Sequence, residues 1–270
     1  MKKRYLIIII AVTLALVTLA CQISSSGVNI GISGVRGSGN VVEEERQVSG
    51  ISSVRVANQG DLFVEIGAEE SLVIEAEDNL LEYIESDVRG GELVLETQNG
   101  VNLRNDEPIR YHLVVTELDG ISVSSSGDVV APELEADRFR ISVSSSGEVD
   151  VDAIETKRLD VNISSSGDVT IGELQADSLD VNISSSGNLT ILDGGVEEQD
   201  IRISSSGDYD ARNLQSQVAD VRISSSGNAT VLVSEELYAN LSSSGDLYYI
   251  GDPTVDARQS SSGDVIQLSD

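Results

Sequence analysis

The block Ser-Ser-Ser-Gly returns along this chain at a nearly fixed interval. Its glycines are Gly127, Gly147, Gly167, Gly187, Gly207, Gly227, Gly245 and Gly263, with an outlying copy at Gly27. Five successive spacings are twenty residues and the last two are eighteen. Self-similarity with a period of about 20 to 50 residues marks a stacked architecture in which each repeat touches only its neighbours.

Inside one period the hydrophobic pattern specifies the element type. In Leu159-Asp-Val-Asn-Ile-Ser-Ser-Ser-Gly-Asp-Val-Thr-Ile171 two alternating runs flank the serine block. Strict alternation means strands with one face buried. Parity puts Leu159, Val161, Ile163, Ser165, Val169 and Ile171 on the inner face, and Asp160, Asn162, Ser164, Ser166, Asp168 and Thr170 on the outer one. Leu174 and Ala176 form the apolar pair of a third short segment. The position of Ile163 is Val123, Val143, Ile183, Ile203, Ile223 and Leu241 in the other copies. One turn per period therefore stacks aliphatic ladders inside. The expected fold is all-β: a parallel β-helix of about 20 residues per coil, right-handed as such crossovers are. Parity through the block places Ser125, Ser145, Ser165, Ser185, Ser205, Ser225, Ser243 and Ser261 on the inner side of a corner. On that reading the glycine supplies the φ freedom of a tight turn, and Asp168 and its equivalents cap the turn's amides as Asx residues do.

The ends depart from the pattern. Gln259 and Gln267 stand in slots that are aliphatic elsewhere, as suits a coil with one face open to water. At the front, Val54-Arg-Val-Ala-Asn-Gln-Gly-Asp-Leu-Phe-Val-Glu-Ile66 matches the repeat with Ala-Asn-Gln in place of the serines. Residues 78–86, DNLLEYIES, are the one helix candidate, with Asn79 and Glu82 at capping-box spacing. The shortening from twenty to eighteen residues reads as a tightened loop away from the serine corner.

Residues 1–20 read as a signal peptide: Lys2, Lys3 and Arg4 precede the apolar run Leu6–Leu19, which is short for a membrane span. The run ends Val17-Thr-Leu-Ala-Cys21, and Cys21 is the only cysteine. This resembles a bacterial lipobox, with Thr18 where an aliphatic residue is preferred, and it implies lipid attachment at Cys21. Residues 21–40, rich in Ser and Gly, read as a flexible tether. Residues 41–270 then form a single domain, with degenerate coils and one short helix over 41–118 and regular repeats over 119–270.

The formal charge is −29, and it becomes −32 once Lys2, Lys3 and Arg4 leave with the signal. Such a surface repels phosphate backbones, which excludes nucleic acid as a partner. It also repels anionic lipid, so attachment to a membrane falls to the lipid on Cys21.

Three segments together resemble a known bacterial family. They are the opening Gly37-Ser-Gly-Asn-Val-Val-Glu-Glu-Glu-Arg-Gln-Val-Ser-Gly50, the segment Asn79-Leu-Leu-Glu-Tyr-Ile84 and the serine-glycine repeats, closed by Tyr249-Ile-Gly-Asp-Pro253 and a final SSSGD. The family is that of the putative auto-transporter adhesins with a head GIN domain, and the similarity spans about residues 37–270. The resemblance implies a β-helical extracytoplasmic domain, often carried on a lipoprotein. It brings no catalytic residues with it.

Little in the chain points to chemistry. Hydrolases and lyases on β-helices need acid and base groups gathered in a loop-built cleft, whereas these coils are nearly loopless. The single histidine, His112, falls in the strand-like run YHLVV and reads as an outward strand residue. There is no Trp to stack on sugar rings. The row Asp128, Glu148, Asp168, Asn188, Asp208, Asn228, Asp246, Asp264, at ~4.8 Å spacing, suggests calcium. Yet it lacks the Gly-Gly-x-Gly-x-Asp pattern of calcium-binding rolls and is diluted by asparagines. The outward serines resemble ice-binding hydroxyl arrays only across one corner. The expectation is therefore no enzyme, no cofactor and no metal site. The chain should be a lipid-anchored, extracytoplasmic β-helix that binds a surface protein or glycan; the alternative is a passive or stress-associated envelope lipoprotein without a ligand.

Overall fold

The computed structural model describes residues 33–269. Cys21, the signal segment and residues 22–32 lie outside the described residues. Among the described residues nineteen strands follow one another. The front of the chain holds β1 (Ser33–Arg36), β2 (Val41–Arg46), β3 (Ser53–Val56), β4 (Asp61–Ile66), β5 (Ser71–Glu77), β6 (Ile84–Arg89), β7 (Glu92–Thr97), β8 (Val101–Arg104), β9 (Arg110–Val115) and β10 (Gly120–Val123). The regular part holds β11 (Val129–Val143), β12 (Val149–Ile163), β13 (Val169–Ile183), β14 (Leu189–Ile203), β15 (Tyr209–Ile223), β16 (Ala229–Leu241), β17 (Leu247–Ile250), β18 (Thr254–Gln259) and β19 (Val265–Gln267).

The expected β-solenoid is what forms, with about 7 turns of ~20 residues. Strands β10 to β16 stack in parallel, and equivalent residues meet one period apart: Leu159 pairs with Leu179, Val161 with Val181 and Ile163 with Ile183. All six are at most 1% exposed. Each fifteen-residue strand is bent twice. Between β12 and β13 the pairing lapses at Asp152/Gly172 and again at Lys157/Asp177, and at both places two successive residues escape burial. A coil is thus three-sided, with the serine block as its third corner. The change from twenty to eighteen residues lies on the second side: Arg212–Leu214 has no counterpart in β16, which has one extra residue after Ser216.

At the serine corner the parity reading needs two corrections. The buried member of the block is the glycine, while the middle serine is only half-buried and the outer two are exposed. None of the eight repeat glycines has the left-handed φ found at Gly39, Gly90 or Gly91. The constraint is closeness instead. A Cβ on Gly187 would stand 2.1 Å from the Gly167 carbonyl oxygen and 2.7 Å from Ile163 Cγ2, and Gly147 to Gly263 repeat this clash with their own neighbours. The corner is cross-linked through the main chain, with Gly187 N–H donating to the Ser165 carbonyl at 2.9 Å and Ser184 N–H to that of Ile163. The middle serine contributes its backbone carbonyl to this ladder rather than a buried hydroxyl.

Outward-facing acids also stack in register, Asp160 on Asp180 and Asp200 on Asp220. Like charges so close repel. Arginines interleave: Arg158 reaches Asp160 at 3.1 Å and Asp180 at 2.5 Å, and Arg222 reaches Asp200 at 3.2 Å. One coil breaks the aliphatic core. Gly194 stands at the place of Leu174 and Gln199 at that of Leu179, and the next coil brings in the buried Tyr209. The Tyr209 hydroxyl donates to Gln199 Oε1 at 2.9 Å, Gln199 Nε2 donates to Ser216 Oγ at 2.8 Å, and that hydroxyl donates to the Leu232 carbonyl. Burial pushes the Tyr209 phenol far above its ordinary pKa, so it stays a neutral donor.

The front half closes the solenoid differently from the simple run of degenerate coils that the sequence suggests. Strands β3 and β4 do form a coil on β10 and β11, with Ala57–Gln59 where the serines stand later. The layer outside it, however, is β7 and β9, which come later in the chain yet run parallel to β3 and β4. The chain reaches that layer through β5 and β6, antiparallel to β9 and β7, while β2 lies antiparallel to β5. The β6–β7 hairpin turns on Gly90 and Gly91, both at positive φ, as a tight two-residue turn demands.

Two further expectations fail here. The helix over 78–86 is a single 3-10 turn, Leu81–Tyr83, with no side-chain cap, and Ile84 already begins β6. Asn79 is not free to cap it: its Oδ1 accepts from Ser38 N–H at 2.9 Å and its Nδ2 donates to the Arg36 carbonyl. The tether, read as 21–40, gives way by residue 33. Strand β1 pairs with β8, and residues 37–40 are held by Glu77, Asp78 and Asn79. Glu77 is fully buried and accepts from the N–H groups of Gly39 at 2.6 Å and Asp106 at 2.9 Å. Gly37 lies so close that a Cβ there would overlap the Glu77 carboxylate. Serine and glycine at this point serve close approach, not looseness.

Two outcomes follow for stability. Gly187→Ala should cost ~3 kcal/mol in chemical unfolding because the coils must part to admit a methyl, whereas Ser186→Ala, on the exposed serine beside it, should stay within about 0.5 kcal/mol; equal effects would contradict the close-approach account. Gln199→Leu should cost about 1–3 kcal/mol by stranding the Tyr209 hydroxyl. Adding Tyr209→Phe should recover most of that loss, and an additive double variant would show that the hydroxyl does not depend on Gln199.

Candidate binding surface

Two features run the length of the solenoid on its outside. The first is the carboxylate and amide row beside the serine corner. Its side chains do not cap their own turn, contrary to the Asx reading; they bridge coils. Asp168 Oδ1 accepts from the backbone N–H of Asn188 at 2.8 Å, Asn188 Oδ1 from that of Asp208 at 2.9 Å, and Asp208 Oδ1 from that of Asn228 at 2.7 Å. The row continues through Asp246 to the N–H of Asp264. The interspersed asparagines also donate sideways, Asn188 Nδ2 to Asp168 at 2.8 Å and Asn228 Nδ2 to Asp208 at 3.1 Å. Alternating Asp with Asn therefore converts repulsion into a hydrogen-bonded ladder.

These bonds also bear on calcium. One oxygen of each aspartate from Asp128 to Asp246 in the row is engaged with a backbone amide of the next coil. Among the described residues no group of three or more His, Cys, Asp or Glu side chains is gathered as a metal site. His112 lies outward on β9, stacked on Phe63 with ring centroids 5.4 Å apart and its Nε2 3.8 Å from a Glu75 carboxylate oxygen.

The second feature is a groove at the bend between the second and third sides. One stretch, of about 740 Å³, begins at Ile66 and Thr116–Leu118 and passes Glu135–Asp137 and Glu155–Lys157 to Gln175–Asp177. Another, of about 640 Å³, shares Gln175–Asp177 and continues past Gly195–Glu197 and Gln215–Gln217 to Gly251 and Asp252. The same coil position supplies the floor each time: Ala136, Thr156, Ala176, Val196 and Ser216. These side chains are small where the chain bends, so the surface dips. The rims are acidic, and among the described residues Lys157 is the one cation lining either stretch. Lys157 Nζ donates to Asp137 at 2.6 Å, which raises the lysine's pKa and lowers the aspartate's. Sequence reasoning did not single out this groove. Its signal is the run of small residues at one repeat position, which becomes a channel only when the bends are known.

The amide row has one defect, at Glu148. Its longer side chain reaches no Asp168 amide, although its own N–H is held by Asp128 at 2.8 Å. Its carboxyl is held above the ordinary range, chiefly by Asp150, then by burial, Asp128 and Asp168. An acid whose folded pKa is raised costs stability above that pKa and regains it as the pH falls through it. Glu148→Asn should therefore raise neutral-pH stability by roughly 0.5–1.5 kcal/mol, the worth of one restored hydrogen bond, and the gain should shrink toward pH 4. A lowered unfolding midpoint at neutral pH would contradict this.

The comparisons with known proteins agree with this architecture. A crystal structure of a protein from Parabacteroides distasonis, described as a putative lipid binding protein, superposes with a TM-score of 0.79 at 24% identity, covering 87% of this chain and 100% of its own. A putative adhesin from Parabacteroides merdae superposes with a TM-score of 0.79 at 20% identity, covering 87% and 99%. One from Bacteroides fragilis gives 0.66 at 20% identity, covering 87% and 100%. No protein of curated function matches the chain. The family described as putative auto-transporter adhesin, head GIN domain, matches residues 51–173 and 154–253, and the chain belongs to it.

Proposed function

We propose that the protein is a non-enzymatic adhesion module, anchored by lipid on Cys21 at a bacterial cell surface, and that its long side engages an extended protein or glycan. The observation that carries this reading is the periodicity of the groove. It offers the same kind of groups coil after coil, small residues below and carboxylates or amides above. Catalysis needs unlike groups converging on one bond, whereas a repeated surface suits a partner that is itself extended. The adhesin descriptions of similarly folded proteins point the same way.

The lipid anchor supplies what the charge denies. A body with a formal charge of −32 after loss of the signal gains nothing from anionic headgroups. A lipid on Cys21 would hold it at the membrane regardless. Two measurements test the reading together. Radiolabelled palmitate should enter the wild-type chain and not Cys21→Ser. A strain lacking the protein should lose attachment to surfaces coated with matrix protein or glycan, and Thr156→Arg in the groove should lower attachment severalfold while leaving the amount of surface protein unchanged. Attachment equal in all strains would instead favour a passive envelope role.

A further inference from the structure

The two ends of the solenoid are built differently. The front is sealed by the antiparallel strands β2, β5 and β6. At the other end, β18 covers β16 through six register pairs from Glu236↔Thr254 to Leu241↔Gln259. Among the described residues nothing covers β18, and all six of its residues are exposed. The register makes Val255, Ala257 and Gln259 continue the inner ladder of Leu237, Ala239 and Leu241, which are at most 4% exposed. Val255 itself is 38% exposed. The hydrophobic core therefore ends in an open layer bordered by a strand edge with unpaired amides and carbonyls, a template for another strand.

The sequence of that edge points to what completes it. In Thr254-Val-Asp-Ala-Arg-Gln259 an antiparallel pairing centred on Ala257 sets Asp256 opposite Arg258 of the second copy, and Arg258 opposite the second copy's Asp256. It also sets Ala257 against its counterpart and Val255 against Gln259. Residues directly opposite in an antiparallel pair share a face, so both charge pairs form on the outside and the inner faces join core to core. Among the described residues neither Asp256 nor Arg258 has an ion-pair partner within its own chain. A two-fold axis that uses the same edge twice closes the assembly at two copies. The bulk of the negative charge lies along the coils behind the contact, much of it farther than the roughly 8–10 Å over which salt leaves charges unscreened.

We propose that β18 is a homophilic contact, pairing antiparallel with β18 of a second copy of this chain. The two front ends then point away from each other. If lipid on Cys21 holds the front near the membrane, as the preceding reading has it, the paired copies sit on opposing membranes, and adhesion includes self-recognition between cells. One six-residue edge buries far less than the ~1,600 Å² of a standard stable interface. A single contact is therefore weak, and many in parallel supply the strength.

The test uses the full-length lipidated chain in phosphatidylcholine vesicles, with clustering followed by light scattering. Wild-type vesicles should cluster. Asp256→Arg alone opposes Arg to Arg, and Arg258→Asp alone opposes Asp to Asp, so each should cluster at least tenfold more slowly. Mixing the two kinds of vesicle should restore clustering, because the arginine introduced in one variant then meets the aspartate introduced in the other. Both positions are exposed, so the fold should survive. Protein-coated wild-type vesicles that stay separate, single variants that cluster like wild type, or a mixture no better than its components would each overturn the proposal. Vesicles that carry no protein would instead speak against the lipid anchor. In that case the unlipidated full chain is weighed by light scattering, where a mass constant at that of one chain up to millimolar concentration also overturns the pairing.

Discussion

Everything in this molecule depends on how closely one serine corner can lie on the next. The Gly187 Cα faces the Gly167 carbonyl at a separation that leaves no room for a methyl group, and the same approach recurs at every repeat. That spacing lets the corner amides reach the carbonyls of the preceding coil. It also holds three sheets in register at once, since a coil that parts at one corner loses its pairing on both adjoining sides. The aliphatic ladders supply the bulk of the burial. The glycine decides the pitch at which they meet.

Close stacking with faithful repetition creates its own difficulty, because every charge is set above its own copy. The chain resolves this by three local means. Two arginines each bridge a pair of stacked aspartates, Arg158 those at Asp160 and Asp180 and Arg222 those at Asp200 and Asp220. Asparagines alternate with aspartates beside the serine corner and donate to them. Backbone amides take up the carboxylates of Asp128, Asp168 and Asp208 beside the serine corner. A total charge of −29 is thus compatible with a stacked fold, because donors stand beside the acids stacked closest to the serine corner and in the Asp160 row. Glu148 shows the limit: one extra methylene misses the amide, and its carboxyl is pushed up by its neighbours.

The period and the parity of the repeat make the solenoid, its inner ladders and the outward place of His112 legible in the sequence alone. What they do not convey has a common physical origin. Alternation tells which way a residue points, not how far away the next chain lies, so Gly167 reads as a source of φ freedom when its purpose is proximity. Parallel coils and antiparallel hairpins share a period of two, so the order of β3, β7 and β9 in the stack is invisible to it. Asn79 and Glu82 carry a capping-box spacing, but Asn79 is claimed by a loop some forty residues away. Ser and Gly over residues 33–40 read as a tether because composition cannot distinguish a free chain from one pressed against a buried carboxylate. The groove depends on two bends in each coil, and alternation across a bend looks like a slip of one residue.

The asymmetry of the two ends ties the stacking rule to the function. A solenoid can always accept another coil, so an end must be blocked or used. At the front the chain reverses direction and spends β2, β5 and β6 on blocking, locking the loop over residues 37–40 with Glu77, Asp78 and Asn79. At the other end the aliphatic ladder stops at Gln259, and among the described residues nothing covers β18. Blocking an edge against association calls for like charges that meet when two edges align. Asp256 and Arg258 are instead placed so that opposite charges meet. An edge with this pattern tolerates water while it is alone, and in the proposed antiparallel pairing it would select its own copy among strands, at the end of the coils farthest from the front.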